Sequence, residues 1–394
     1  MTGQAIPREA VRRILAALVT AETLRTRGDT ARGAAEDPHA WGDMCSLSVR
    51  SAPLDSLETV NAGAALFEMF DLGIALQDDA ASPPATVGQW LDAIAWAQRH
   101  PDARVTVMTS GSTGRPRPCR HDPADLLGEA DHLAQIMPAV RRIIALVPAH
   151  HIYGLIWTAL LPARLGIPVV GASAAGLPKL APGDLIVAVP DQWRALARSQ
   201  YSWPEGVEGV SAGAPLDDAL AEALCATGLA RMLDVYGTSE TGGVALRCAP
   251  RERYALLPRW RFASPPDAEI ALVVDRYGEE RALPDRLAIG DDGRFAVLTR
   301  RDGAVQVGGV NVWPDHVANV LRRCPGVAQS CVRLGDHHRL KAFVVPTAST
   351  DVTALRERLR LHAQRQLSPE QRPVSYALGS ALPRTALGKL CDWP

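Results

Sequence analysis

The nine residues Thr109-Ser110-Gly111-Ser112-Thr113-Gly114-Arg115-Pro116-Arg117 carry four hydroxyls, two glycines and two guanidinium groups. Glycines let the main chain come close to a ligand, hydroxyls and free amides donate hydrogen bonds, and the arginines add positive charge. That set suits phosphate oxygens, and the ligand expected is a nucleoside triphosphate. No Lys-Ser/Thr pair follows the last glycine, so the stretch is not the common P-loop. The bland alternative is a flexible Gly/Ser linker. Three more stretches could share the chemistry. His150-His151 precede Ile152-Tyr153-Gly154, Tyr236-Gly237-Thr238-Ser239-Glu240 gathers a ring, two hydroxyls and a carboxylate, and Lys389 ends Pro383-Arg384-Thr385-Ala386-Leu387-Gly388-Lys389.

Regular elements must hold these stretches in place. Arg104-Val105-Thr106-Val107-Met108 alternates as a half-buried strand does, and Asp122-Pro123 reads as an N-cap with proline at the first helical position. The phosphate loop is therefore expected to join a strand to a helix. Arg141 to Pro148 and Asp184 to Pro190 read as buried strands, and Trp193 to Ala197 as a helix. That alternation predicts a parallel sheet covered on both faces. Upstream, Val11, Ile14, Leu15 and Leu18 predict an amphipathic helix from Pro7 to about Arg25, followed by a long polar connection over 26–53. A second helix opens at Leu54-Asp55-Ser56, with Leu57, Val60, Ala64 and Phe67 expected on its buried face. A third begins at Thr86 with Gln89 completing a capping box, and buries Val87, Trp90, Leu91 and Ile94.

In this order the motifs resemble those of the adenylate-forming superfamily, especially acyl- and aryl-CoA ligases of the 4-coumarate:CoA-ligase type. The resemblance covers residues 99–394. It implies an α/β fold, with a parallel-sheet large domain (99–301) and a small mobile C-terminal α+β domain (302–394). It implies ATP and Mg²⁺ as cofactors and an ATP-dependent ligation. A small-molecule carboxylic acid, aryl or enoyl, is adenylated and then passed to a phosphopantetheine thiol. By the same resemblance Thr109 to Gly114 and Arg117 hold phosphates, and Gly213 and Ala214 pass against adenine. Tyr236 stacks on the base, Gly237, Thr238 and Ser239 meet the α-phosphate, and Glu240 holds Mg²⁺. Asp285 accepts the ribose hydroxyls and Arg300 binds ribose or phosphate. Asp302 is the hinge, Gly308 and Gly309 line the thiol tunnel, His151 borders the acid, and Lys389 neutralises charge during adenylation.

Residues 1–98 resemble an acyl carrier protein, a helical carrier-like domain in which Ser56 matches the serine that bears 4′-phosphopantetheine. Leu54 stands where a glycine often precedes that motif. A serine at a helix start can also be a plain cap. The acceptor is then Ser56's own arm, a separate acyl carrier protein, or CoA. The competing class is a non-catalytic carrier- and ligase-like interaction protein. Composition narrows the rest: 394 residues, 47% hydrophobic, formal charge −1 and seven scattered cysteines give no nucleic-acid, membrane or disulfide signature and suggest a cytoplasmic protein.

Overall fold

The computed structural model describes residues 5–27, 41–46, 56–74, 84–109, 117–199, 201–265, 268–335, 338–347, 351–384 and 390–393. The central sheet has seven strands: β3 (Arg142–Ala145), β4 (Val169–Gly171), β5 (Asp184–Ala188), β6 (Glu208–Ser211), β7 (Arg231–Thr238), β8 (Gly242–Ala249) and β9 (Ala255–Leu256). Their order is β4-β3-β5-β6-β7-β8-β9, parallel from β4 to β7 and antiparallel beyond. The pleat sends successive side chains to opposite faces. Ile143, Leu185 and Val187 accordingly join one core cluster, and Ile144, Ile186 and Ala188 join another. The second cluster is completed by Trp193 and Leu196 of α5 (Pro190–Arg198) and by Ala221 and Leu224 of α6 (Asp218–Ala226). The expected doubly covered parallel sheet is present.

The other face is covered by the N-terminal helices α1 (Arg8–Arg27), α2 (Ser56–Phe70) and α3 (Val87–Ala97), together with α4 (Pro123–Ile136) and the buried π-helical turn Leu155–Leu160. The capping box of Thr86 and Gln89 starts α3 as anticipated. Among the described residues, one core cluster runs across the boundary expected at residue 98. Ile14, Leu66, Phe70 and Leu91 belong to the same cluster as Val107, Leu126, Trp157 and Leu185.

The face of α2 differs from the expected one. Glu58, Ala62, Leu66, Met69 and Phe70 are buried, whereas Leu57 and Val60 are 62% and 66% exposed. This helix is apolar around most of its circumference, so its spacing allowed either stripe; packing against α1 and β1 (Val105–Thr109) selects one.

A second correction concerns the phosphate loop. It does not lead straight from a strand to a helix: β1 pairs antiparallel with β2 (Arg117–His121), Thr109 opposite Arg117, and α4 follows only after β2. The loop is a hairpin connection. Asp122 does cap α4, accepting from the Ala124 amide at 2.8 Å, with Pro123 in the first turn.

After β9 come β10 (Arg261–Phe262), β11 (Leu272–Val274) and β12 (Glu280–Ala282) as one small sheet, then the hairpin of β13 (Asp285–Ile289) and β14 (Phe295–Arg300). The C-terminal part adds the hairpin β15 (Val305–Val307) and β16 (Val310–Val312), helices α7 (Pro314–Arg322) and α8 (Val352–Gln366), and a mixed sheet of β17 (Val327–Leu334), β18 (Leu340–Pro346) and β19 (Ser375–Leu378). Its own core includes Val312, Val317, Leu321, Leu340, Val344 and Leu359. Every cysteine is free. Among the described residues, no helix is long and apolar enough to cross a membrane.

Candidate active site

Three motif stretches and the segment after β5 leave the carboxyl ends of four neighbouring parallel strands, the edge where open α/β sheets bind ligands. His150 and His151 follow β3, Val189 to Asp191 follow β5, Ala212 to Ala214 follow β6, and the Tyr236 stretch ends β7. The chain runs from β3 outward to β4 and then returns to β5 on the other side, so the histidines sit at the point where strand order reverses. Tyr153 fixes that stretch. Its hydroxyl donates to Val210 O at 2.9 Å and lies 3.2 Å from Ala188 O, tying it to the ends of β6 and β5.

The β7–β8 turn is rigidly tied. Thr241 Oγ1 accepts from the Thr238 amide at 3.1 Å, and Thr238 Oγ1 accepts from the amides of Glu240 and Thr241, each at 3.2 Å. A Cβ on Gly237 would stand 2.2 Å from Gly242 O, so only glycine fits the crossing. Glu240 itself is exposed at the tip. An exposed carboxylate beside hydroxyls fits Mg²⁺, which takes few protein ligands and completes its shell with water and phosphate oxygens.

Tyr236 is buried between Tyr254 and Phe295, and its hydroxyl donates to Asp285 Oδ2 at 2.8 Å. The structure thus joins two residues that the sequence placed 49 positions apart. Burial raises the Asp285 pKa, against the lowering effect of the Tyr236 hydroxyl.

Two further groups brace the turn and went unnoticed in the sequence. His121, at the end of β2, donates from Nε2 to Ser239 O at 2.8 Å. Burial lowers its pKa to about 4, so it works as a neutral donor. Glu129, on the buried face of α4, accepts from the Gly243 amide with both oxygens at 3.1 Å. Burial raises its pKa to about 7, opposed by the Arg259 guanidinium 3.9 Å away and by the Gly243 amide. Arg259 also donates to Thr241 O and lies over the Trp260 ring. The hairpin that carries the phosphate loop and the helix behind it are both fastened to the Glu240 turn. One signal was available: Glu129 is a carboxylate on the apolar stripe of Leu126, Leu127, Ala130 and Leu133. His121 carried no comparable mark.

The rings of His150 and His151 are tilted by 44° to one another, with centroids 4.2 Å apart. Burial lowers the His150 pKa to about 3, with His151 adding a smaller push. His151 retains solvent access as a residue while protein crowds its ring. Its pKa is lowered by desolvation, with Glu370 opposing, and the neutral imidazole is favoured.

From the C-terminal part, Gly308 donates to Asp191 Oδ2 at 3.1 Å, and a Cβ on Gly213 (φ +84°) would meet the Gly309 Cα at 3.5 Å. The glycine pair after β15 therefore lies directly against the Gly213 turn. Arg300 is latched to Asp302 by two bonds, Nε to Oδ1 at 2.9 Å and Nη2 to Oδ2 at 2.7 Å, which hold the Asp302 carboxyl below its ordinary pKa. Ser56 begins α2. Thr109 ends β1, Ala214 follows Gly213 in the turn, and Arg117 starts β2 with its side chain exposed. Ser110, Gly111, Ser112, Thr113, Gly114 and Lys389 lie outside the described residues.

A family model described as "AMP-binding enzyme" matches residues 58–286, and one described as "AMP-binding enzyme C-terminal domain" matches residues 316–389. Curated relatives include a 4-coumarate–CoA ligase of Halorhodospira halophila, 37% identical over 98% of this chain and 100% of the relative. Another is a 4-coumarate–CoA ligase of Rhodobacter capsulatus, 38% identical over 97% and 100%. Among solved structures, o-succinylbenzoate CoA synthetase from Bacillus subtilis superposes with a TM-score of 0.61 at 19% identity, covering 78% of this chain and 72% of that one. A malonyl-CoA ligase complex with methylmalonyl-CoA and AMP gives 0.58 at 22% identity, with 71% of each chain covered. These two likenesses concern the fold. The first family match begins inside α2, so that helix belongs to the matched ligase region.

Proposed function

The chain belongs to the AMP-binding enzyme family, the adenylate-forming acid–thiol ligases, and from that premise we propose that it adenylates a small aryl or enoyl carboxylic acid and transfers the acyl group to CoA. The observation that carries this reading is the meeting of His151, Gly213, Tyr236 and the Glu240 turn at one edge of the parallel sheet, with the phosphate hairpin fastened to that turn through His121.

In the first half-reaction, a carboxylate oxygen of the acid attacks the α-phosphorus of ATP and the bond to pyrophosphate breaks. The roles are those the motifs imply. Thr109 to Gly114 and Arg117 hold the triphosphate, Thr238 and Ser239 hold the α-phosphate, and Lys389 offsets charge where carboxylate and phosphorus meet. Asp285, with one oxygen held by Tyr236, takes the ribose. Glu240 would hold Mg²⁺, which would supply charge neutralisation on the phosphate oxygens. In the second half-reaction the thiol sulfur attacks the acyl carbon, its proton leaves, and AMP departs. Gly308 and Gly309 would form the thiol channel beside Gly213, where side-chain-free backbone leaves room for a narrow arm. Residues 302–394 would turn about Asp302, and the Arg300–Asp302 latch is the contact that turning must rearrange.

CoA is preferred as acceptor over the Ser56 arm or a separate carrier. The helix that begins at Ser56 packs into the ligase core, and the relatives in question are named CoA ligases. The non-catalytic reading is not favoured.

The test is AMP and thioester formation from acid, ATP, Mg²⁺ and CoA by the wild type and Ser56→Ala. Equal CoA-dependent turnover by both supports the proposal. Turnover that requires Ser56, or a mass increase of a phosphopantetheine group on it, would move the acceptor to the chain itself.

A further inference from the structure

Behind Tyr236 lies a buried ion pair that the motifs do not contain. Asp234 on β7 stands opposite Arg247 on β8, and its side chain is 1% exposed. A charge that deep in the sheet persists when it is paired. Asp234 Oδ2 accepts from Arg247 Nε at 2.9 Å and from the Tyr254 hydroxyl at 2.6 Å. The rest of the guanidinium fork reaches the other way. Nη2 donates to Leu216 O at 3.1 Å, at the end of the Gly213 turn, and Nη1 lies 2.9 Å from Asp218 Oδ1, at the start of α6. Tyr254 in turn exchanges two backbone hydrogen bonds with Phe295 of β14, at 2.9 and 3.0 Å, and its ring stacks on Phe295 and lies 5.9 Å from the Tyr236 ring. β14 pairs with β13, which carries Asp285. One side chain thus reaches both segments: the Gly213 turn directly, and the Tyr236–Asp285 pair through Asp234 and Tyr254.

Resting on the ligase reading above, in which the Gly213 turn and Tyr236 face the adenine and Asp285 takes the ribose, we propose that Arg247 is a positioning residue for the nucleotide. It fixes the spacing between the Gly213 turn and the Tyr236–Asp285 pair, and with it the width of the adenosine slot. Arg247 acts without touching the nucleotide, through Leu216 on one side and Asp234 and Tyr254 on the other. Arg247→Met would leave Asp234 buried without its counter-charge and Leu216 O without this donor, so the two walls would no longer be tied to each other. ATP and AMP share the adenosine, so both would bind more weakly, and the acid would not. A comparable pair elsewhere gives the contrast. Arg142 grips Asp184 through Nε at 2.8 Å and Nη2 at 2.6 Å at the amino ends of β3 and β5, the sheet edge away from the motif stretches.

The experiment compares the full-length wild type with Arg247→Met, Arg247→Lys, Tyr254→Phe and Arg142→Met by calorimetric titration with AMP, by ATP–pyrophosphate exchange with benzoate and cinnamate, and by thermal midpoint. Arg247→Met is expected to raise the AMP Kd and the KM for ATP at least tenfold, with the KM for the acid within threefold. Arg247→Lys, which keeps the charge but not the fork, should recover part of that loss. Tyr254→Phe, which keeps the ring, should raise both nucleotide constants about threefold. Arg142→Met should lower the thermal midpoint and leave those constants within twofold. Folded Arg247 and Tyr254 variants with nucleotide constants within twofold of the wild type would overturn the proposal, and so would Arg142→Met raising them as far as Arg247→Met does, because the effect would then be one of stability. If Arg247→Met does not fold, Arg247→Lys and Tyr254→Phe decide by the same criterion. A wild type that binds AMP but exchanges with neither acid would count against the ligase reading alone, and one that binds no AMP would overturn both.

Discussion

At the scale of single residues, the site depends on buried polar groups that the motifs do not contain. Glu129 accepts the Gly243 amide, and its loss leaves a buried donor unpaired, which costs about 1–3 kcal/mol. Glu129→Leu should lose that amount in urea unfolding, while Glu129→Gln, which keeps an acceptor, should lose less. The pH dependence has a definite sign. Because the folded pKa of Glu129 is raised to about 7, its contribution is fully present below the unfolded carboxyl value near 4.5 and is lost as pH rises to about 7. His121 acts oppositely. Its folded pKa is lowered to about 4, so stability is present above 6.5 and lost as pH falls through that window. The two partly cancel in the wild type. Glu129→Gln should therefore lose stability on acidification from pH 7 to 4.5 more steeply than the wild type; an unchanged pH profile would contradict the assignment. Tyr236→Phe strips Asp285 of its donor and should raise KM for ATP with little change in KM for the acid, measured in steady-state kinetics.

At the scale of elements, what was legible in the sequence depended on how local the physics is. The capping box at Thr86, the cap at Asp122 and the buried strands before Pro148 and Pro190 are settled by residues within a few positions of one another, and they appear as expected. The face of α2 was not legible, because Leu57, Val60 and Ala64 compete with Ala62, Leu66 and Met69 for burial. Only the neighbouring α1 and β1 decide between them. β2 was missed because Arg117-Pro118-Cys119-Arg120-His121 is polar and contains proline. Its strand character comes from pairing with β1. Among site residues, short contiguous motifs were readable, whereas Glu129 meets its partner 114 positions away and no local pattern announces that. The hairpin suggests an element-level test. His121→Ala should loosen the tie between β2 and the Ser239 turn and raise KM for ATP several-fold, while His121→Asn, which retains a donor, should recover part of the loss. Equal kinetics for all three proteins would deny the tie a role.

At the scale of the whole molecule, the C-terminal part meets the large domain through backbone: Gly308 on Asp191, and Gly309 against Gly213 and Val189. A side chain at Gly309 would face a φ of +82° and stand 3.1 Å from Val189 Cγ1. Gly309→Val should accordingly reduce CoA thioester formation at least tenfold while leaving pyrophosphate exchange within threefold of wild type. A parallel loss of both activities would place Gly309 in adenylation instead. The central claim, that this fold activates a carboxylic acid as its adenylate, is tested most directly by carboxylate-dependent ATP–pyrophosphate exchange in wild type and Lys389→Ala. The account predicts exchange with aryl or enoyl acids and its loss by at least a hundredfold in the variant. Exchange with no acid, or exchange undiminished in Lys389→Ala, would contradict it.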